Sequence, residues 1–183
     1  MTALHWAVLG LAEGPLPLPV RVALSSINVL VGILFLARTS SSDVGRATDV
    51  LAALPSIALS LIAYRVASPT WPLLCVIVHG AFALWVAVSL LALGRSFAIL
   101  PARRTLVVRG PYRCVRNPIY LGELGMLVTA CATRGVAFAL AGLAIVALAI
   151  VPRIFAEERV LADDPGYQHY RSVVTARLVP RLF

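Results

Sequence analysis

Lysine is absent from this 183-residue chain, and charge is scarce altogether: 13% of residues are charged, against 60% that are hydrophobic. With a mean hydropathy of +0.91, so little charge cannot clothe a water-soluble domain in polar surface. An ordinary soluble enzyme is excluded, and a membrane is indicated. Cysteine is also sparse. Cys75, Cys114 and Cys131 are odd in number and widely spaced, which argues against a disulfide framework and against a zinc site. Two of them lie in apolar runs, where cysteine behaves as a small hydrophobe, and no metal is expected. The opening MTALHWAVLGLAEGP lacks a basic n-region and meets Glu13 after a short apolar stretch, so it is a poor secretory signal. The length allows one bundle of several spans but no separate soluble catalytic domain, so residues 1–183 are expected to form a single domain.

The charge that is present is lopsided. All sixteen basic residues are arginine, and the formal net charge is +8. These arginines flank apolar runs, so membrane orientation and anionic lipid headgroups account for them better than a nucleic-acid groove does. No nucleic-acid partner is expected.

A helix needs about 20 apolar residues to cross the hydrocarbon core, with about 17 as a practical minimum. Val22 to Ala37, Trp71 to Leu93 and Gly135 to Pro152 qualify on composition, and Val50 to Tyr64 is a shorter candidate that holds Pro55. Pro118 to Ala132, followed by the polar turn Thr133, Arg134 and Gly135, reads as the first arm of a helical hairpin. The first nineteen residues hold Pro15, Pro17 and Pro19 and read as an interfacial lead-in. The expectation is an all-α polytopic integral membrane protein of about five transmembrane helices. The loop from Arg95 to Arg116 carries six arginines and no acid, which assigns it to the cytoplasm. Five spans return the tail from Arg153 to that same face.

Two segments then share one membrane face. The first is Arg109 to Gly122, RGPYRCVRNPIYLG, crowded with arginine, proline and tyrosine between oily runs. The second begins RIFAEERVL, where Arg153 and Glu157 stand four apart on one helix face and Glu158 points about 100° away. Beyond it lie Tyr167, His169, Tyr170 and Arg171, then SVVTARLVPRLF, whose alternation of arginine and apolar groups predicts a short cytoplasmic interfacial helix. Together they predict a pocket half in oil and half in water, lined by fixed cations, carboxylates and rings. Glu123, one turn inside a predicted span, requires a partner such as Arg116 or Arg153. His79, mid-span, reads as a hydrogen-bonded packing group, and Gly135, Ala139 and Gly142 read as positions for close helix packing.

RGPYRCVRNPIYLG resembles the GPYRxVRHPxYxG signature of the isoprenylcysteine carboxyl methyltransferases and their relatives, the membrane phospholipid methyltransferases. The preceding LGRSFAILPARRTLVVRGPY and the later R-x-x-x-E-E-x-x-L with Y-x-x-Y are similar to that family in order and spacing, from Leu93 to Phe183. The resemblance implies an enzyme whose 1–93 segment supplies N-terminal spans and whose 94–183 segment is the catalytic and cofactor-binding half. It implies S-adenosylmethionine as cofactor and a lipophilic acceptor arriving from the bilayer. Carboxyl methylation of an isoprenoid or prenylcysteine-like acid is the first expectation, and a phospholipid amine or a thiol is also open. Arg104, Thr105, Leu106, Val107, Tyr112, Asn117, Pro118, Ile119, Tyr120 and Glu157 match the cofactor-binding positions, and Arg153 matches the substrate-orienting one. Arg113, Arg116, Glu123, Glu158, Tyr167 and Tyr170 are secondary candidates. The setting implied is a bacterial or archaeal-type cell membrane, with the active site facing the cytoplasm and membrane lipids as partners.

Asn117 departs from the family's usual histidine. An amide can donate and accept hydrogen bonds but cannot shuttle protons, which removes any mechanism with a base at this position. Two alternatives stay open: an NADPH-dependent sterol-reductase-like enzyme, similar to the same family in its C-terminal half, and a non-catalytic membrane subunit.

Overall fold

The computed structural model describes residues 16–37, 64–96 and 106–180, and every regular element among them is helical. Helix α1 spans Leu18–Ala37, α2 Leu73–Leu93, α3 Pro118–Ala132, α4 Val136–Leu161 and α5 Pro165–Val173, with single 3₁₀ turns at Gly94–Ser96 and Gly110–Arg113. Among the described residues, three helices are long and apolar enough to cross a membrane: α1, α2 with its 3₁₀ extension, and α4. Their outer faces expose leucine, isoleucine and valine, as at Leu36, Leu73, Leu84, Val136 and Leu148. A face of this kind is at ease only against lipid tails.

The five expected spans therefore resolve differently. The candidate over Val50 to Tyr64 lies outside the described residues except for Tyr64. Helix α3 has 15 residues, about 22 Å of rise against a hydrocarbon core of about 30 Å, too short to span alone. Of the proline-rich lead-in, residues 1–15 lie outside the described residues, and Pro19 sits in the first turn of α1, where its missing N–H leaves no bond unmade. The apolar run ends at Pro152, and the 26-residue α4 continues through it to Leu161, keeping Arg153, Glu157 and Glu158 on one helix as their spacing predicts. A helix-interior proline loses one backbone bond that neighbouring groups can offset in a packed bundle, so Arg153, Glu157 and Glu158 stay on the helix that packs on α3.

Two antiparallel contacts set the frame, α2 on α3 and α3 on α4, with α1 against α2. The first depends on glycine. A Cβ at Gly122 would stand 2.4 Å from Val86 Cγ2 and 3.2 Å from the Phe82 carbonyl oxygen, so α2 approaches over a bare backbone. Trp85 locks the register by donating its indole N–H to the Pro118 carbonyl at 2.9 Å. The hairpin of α3 and α4 turns at Gly135, whose φ of +111° disfavours any side chain. Gly142 then admits Cys131, whose Sγ lies 2.7 Å from where a Cβ would stand.

His79 is fully buried on α2, edge-on to Tyr64 and Trp71 with ring centroids 5.8 Å and 5.3 Å away. It packs among rings, as the sequence suggests, but the hydrogen bond expected of it is not seen at either ring nitrogen among the described residues.

Gly122→Ala should drive α2 and α3 apart and destabilise the bundle by about 1–3 kcal/mol, the usual range for overpacking. Gly80→Ala, where an added Cβ meets nothing within 4 Å, is the control. Thermal unfolding in detergent should separate the two; equal midpoints would contradict glycine-dependent packing.

Candidate functional site

The signature segment is shaped by its glycine and prolines. Gly110 has φ +58° and opens the 3₁₀ turn in which Pro111 takes the second position. This turn is stitched to the end of α2 by Arg109, whose Nε donates to the Ala92 carbonyl at 3.1 Å. It is stitched to α5 by Tyr170, whose buried hydroxyl donates to the Tyr112 carbonyl at 2.7 Å. Pro118 then starts α3, and Asn117 occupies the cap position without capping the helix with its side chain.

Two carboxylates adjacent in sequence serve two separate clusters, because neighbours on a helix point about 100° apart. Glu157 accepts a hydrogen bond at Oε1 from the Tyr120 hydroxyl, and the same oxygen lies 3.9 Å from Arg153 Nε. The Arg153 guanidinium lies over the Tyr120 ring, 4.9 Å from its centroid, in cation–π contact. Glu123 is one turn along α3 from Tyr120 and lies in the electrostatic field of Arg153 and Glu157. Of its two expected partners it therefore couples to Arg153.

Arg116 turns instead to Glu158, with Nη2 to Oε1 at 3.1 Å and only 4% and 10% of the two side chains exposed. The second oxygen of Glu158 accepts from Arg177 Nε at 3.0 Å. Tyr167 faces the same carboxylate; burial, then the negative charge of Glu158, pushes its phenol up to about 12. Burial also raises Tyr170, which keeps its hydroxyl a donor to the signature turn. Asp164, at the cap of α5, accepts from the Gly166 and Tyr167 backbone N–H groups at 2.7 and 3.3 Å, which sets where both tyrosines face.

The expected residues thus divide. Buried Tyr120 and Arg153 with half-buried Glu123 and Glu157 form one group, while buried Arg116, Glu158 and Tyr167 form a second. Leu106 packs on Tyr167 and Tyr170, bringing the end of the long basic loop to α5. Ile119 packs instead with the cluster between α1 and α2, and Arg113 is exposed. Pro118 is fully buried and Val107 half-buried. Arg104 and Thr105 lie outside the described residues.

One element differs from its expectation. The segment after Ser172, expected to be an interfacial helix, leaves the helix at Val173. Residues 174–180 then form an irregular strap that folds back onto the signature. The Ala176 and Arg177 carbonyls accept from the backbone N–H groups of Arg116 and Asn117 at 2.9 and 3.0 Å. Arg177 was not among the expected site residues. Its signal was the regular spacing of arginines in the tail, which an interfacial helix explains equally well.

The sequence model of the phospholipid methyltransferase family matches residues 67–164, just over half of the chain. The match takes in the signature, Arg153 and both glutamates, and stops before α5 and the strap. No curated protein and no solved structure matches the chain.

Removing Glu158 strands Arg116, and Glu158→Ala should cost about 3–5 kcal/mol, as for any buried pair deprived of one member. Arg159→Ala, on the exposed side of the same turn, should change stability by no more than about 0.5 kcal/mol. Thermal unfolding of both variants in detergent checks this; similar midpoints would show that the buried bridge contributes little.

Proposed function

The chain belongs to the phospholipid methyltransferase family, and from that premise we propose that it is a membrane methyltransferase that takes S-adenosylmethionine and methylates a lipid acceptor at the cytoplasmic face. The observation that carries the reading is the Tyr120–Glu157–Arg153 group at the emerging end of α4. That cofactor supplies an electrophilic methyl group on a sulfonium centre.

The donor set fits such a molecule. Glu123 and Glu157 against Arg153 give a formal charge of −1, which favours a cationic methyl carrier over an anionic nucleotide such as NADPH. Glu157, the more exposed member of its pair with 24% of its side chain accessible, is placed to accept from an ammonium or from ribose hydroxyls. Tyr120 fixes that carboxylate. Leu106, Val107, Tyr112 and Pro118 complete the proposed cofactor cradle, and Arg104 and Thr105 belong to it by their motif positions alone. Arg153 remains the substrate-orienting residue.

The acceptor class that fits best is a lipid with an anionic group and an amine. Arg153 would grip the phosphate of the headgroup and Glu123 would take the ammonium proton, which frees the nitrogen lone pair for the methyl group such a cofactor supplies. Glu158 cannot serve as that base, because both its oxygens are held by arginines. A second reading, carboxyl methylation of an isoprenoid or prenylcysteine-like acid, is favoured by Arg153 itself: a buried guanidinium suits a two-pronged hold on a carboxylate. Alignment in a dry pocket supplies much of the rate for either acceptor.

Tritiated S-adenosylmethionine offered to the protein in detergent should be retained saturably. Glu157→Ala and Tyr120→Ala should weaken retention about tenfold or more, the loss expected for hydrogen bonds to a charged group. Arg153→Ala should leave retention within a few-fold and lower turnover about a hundredfold. Loss of retention in Arg153→Ala as complete as in Glu157→Ala would overturn this division of roles. Methyl label transferred from the cofactor into a membrane lipid extract separates the acceptors. Base-stable label on nitrogen is expected, and base-labile label released as methanol would favour the carboxyl reading.

A further inference from the structure

Asn117 stands where the family signature usually has histidine, and its side chain is not directed at the Tyr120–Glu157–Arg153 group. Its amide Nδ2 donates to the Arg177 carbonyl at 3.3 Å, an oxygen that already accepts the Asn117 backbone N–H at 3.0 Å. Both donors of one residue thus converge on one carbonyl of the strap, with the Arg116 N–H to the Ala176 carbonyl beside them. Asn117 is 9% exposed, so these bonds form largely out of water, where leaving a donor unmade is expensive.

The strap is held at two further points. The Arg177 guanidinium bonds Glu158 and lies over the Phe155 ring, 5.1 Å from its centroid. Leu178, 6% exposed, inserts into the apolar cluster that contains Tyr120, Ile150 and Ile154. Leu178 therefore shares one apolar cluster with the tyrosine whose hydroxyl holds Glu157. What fixes the strap also fixes the wall of the candidate site.

We propose that Asn117 is a positioning residue that latches the C-terminal strap of residues 174–178 across the cofactor site, so that cofactor affinity depends on the latch. This rests on the methyltransferase reading for its kinetic consequence, but the latch itself does not. The departure from histidine then has a physical account: the position requires a donor of the right reach and no proton transfer. A carboxamide and an imidazole N–H both meet that requirement, whereas an isosteric carboxylate turns the donor into an acceptor facing a carbonyl.

The test uses the full chain in detergent, comparing wild type with Asn117→Asp and Asn117→His. Trypsin cleavage after Arg177, followed by mass spectrometry with no cofactor present, reports the latch alone. Asn117→Asp should accelerate it about tenfold, and Asn117→His should bring it back to within about threefold of wild type. In turnover, Asn117→Asp should raise the KM for S-adenosylmethionine about five- to tenfold with kcat changed less than threefold, and the histidine variant should again recover. Unchanged cleavage in Asn117→Asp overturns the proposal whatever the kinetics show. Faster cleavage with an unchanged KM overturns the link between strap and site. A wild-type protein that retains no S-adenosylmethionine sinks the methyltransferase reading, and the cleavage rates still decide the latch. Should Asn117→Asp fail to fold, Leu178→Ser loosens the strap from its apolar end and carries the same expectations.

Discussion

A single buried carboxylate, that of Glu158, holds together three parts of the chain that are distant in sequence. It lies on α4, receives Arg116 from the signature loop on one oxygen and Arg177 from the tail on the other. Two cations converging in an apolar setting would repel and lose hydration, so neither could stay without the carboxylate between them. Such a bridge is seldom a large net source of stability compared with well-packed hydrocarbon. Its value is in specificity: of the ways the tail could lie against the bundle, it favours the one that brings strap, signature and α4 to one point.

Because Glu158 takes on that structural task, its neighbour Glu157 is left to the proposed cofactor site. The two side chains leave α4 in different directions, one into the bridge and the other toward Tyr120 and Arg153. This arrangement needs α4 to be a continuous helix past Pro152, since any break there would uncouple the phase of the glutamates from the helix that packs on α3. The continuous α4 thus transmits the register of the α3–α4 hairpin to the pair of carboxylates. The geometry of the proposed site depends on glycine contacts deeper in the bundle.

Much of this was legible in the sequence where local periodicity carried the information. The i, i+4 relation of Arg153 and Glu157, the turn at Gly135 and the close approach at Gly142 follow from helix geometry and residue size alone. The partner of Glu123 was narrowed to two arginines, and the structure couples it to Arg153. Long-range choices were not legible. Arginine alternating with apolar residues from Ser172 onward fits an interfacial helix or an irregular strap, and only the carbonyls taken by Arg116 and Asn117 decide for the strap. Ile119, grouped with the cofactor residues by its place in the motif, points into the α1–α2 cluster because its neighbours on α3 already occupy the site face.

The central claim is that the signature and the end of α4 form two walls of one cradle for a methyl carrier. Ultraviolet photolabelling with tritiated S-adenosylmethionine, followed by proteolysis and mapping of the labelled peptides, tests it most directly. The account predicts label in peptides from both the 106–123 region and the 153–161 region, displaced together by excess S-adenosylhomocysteine. Label confined to one of the two regions, or lying elsewhere in the chain, would contradict it.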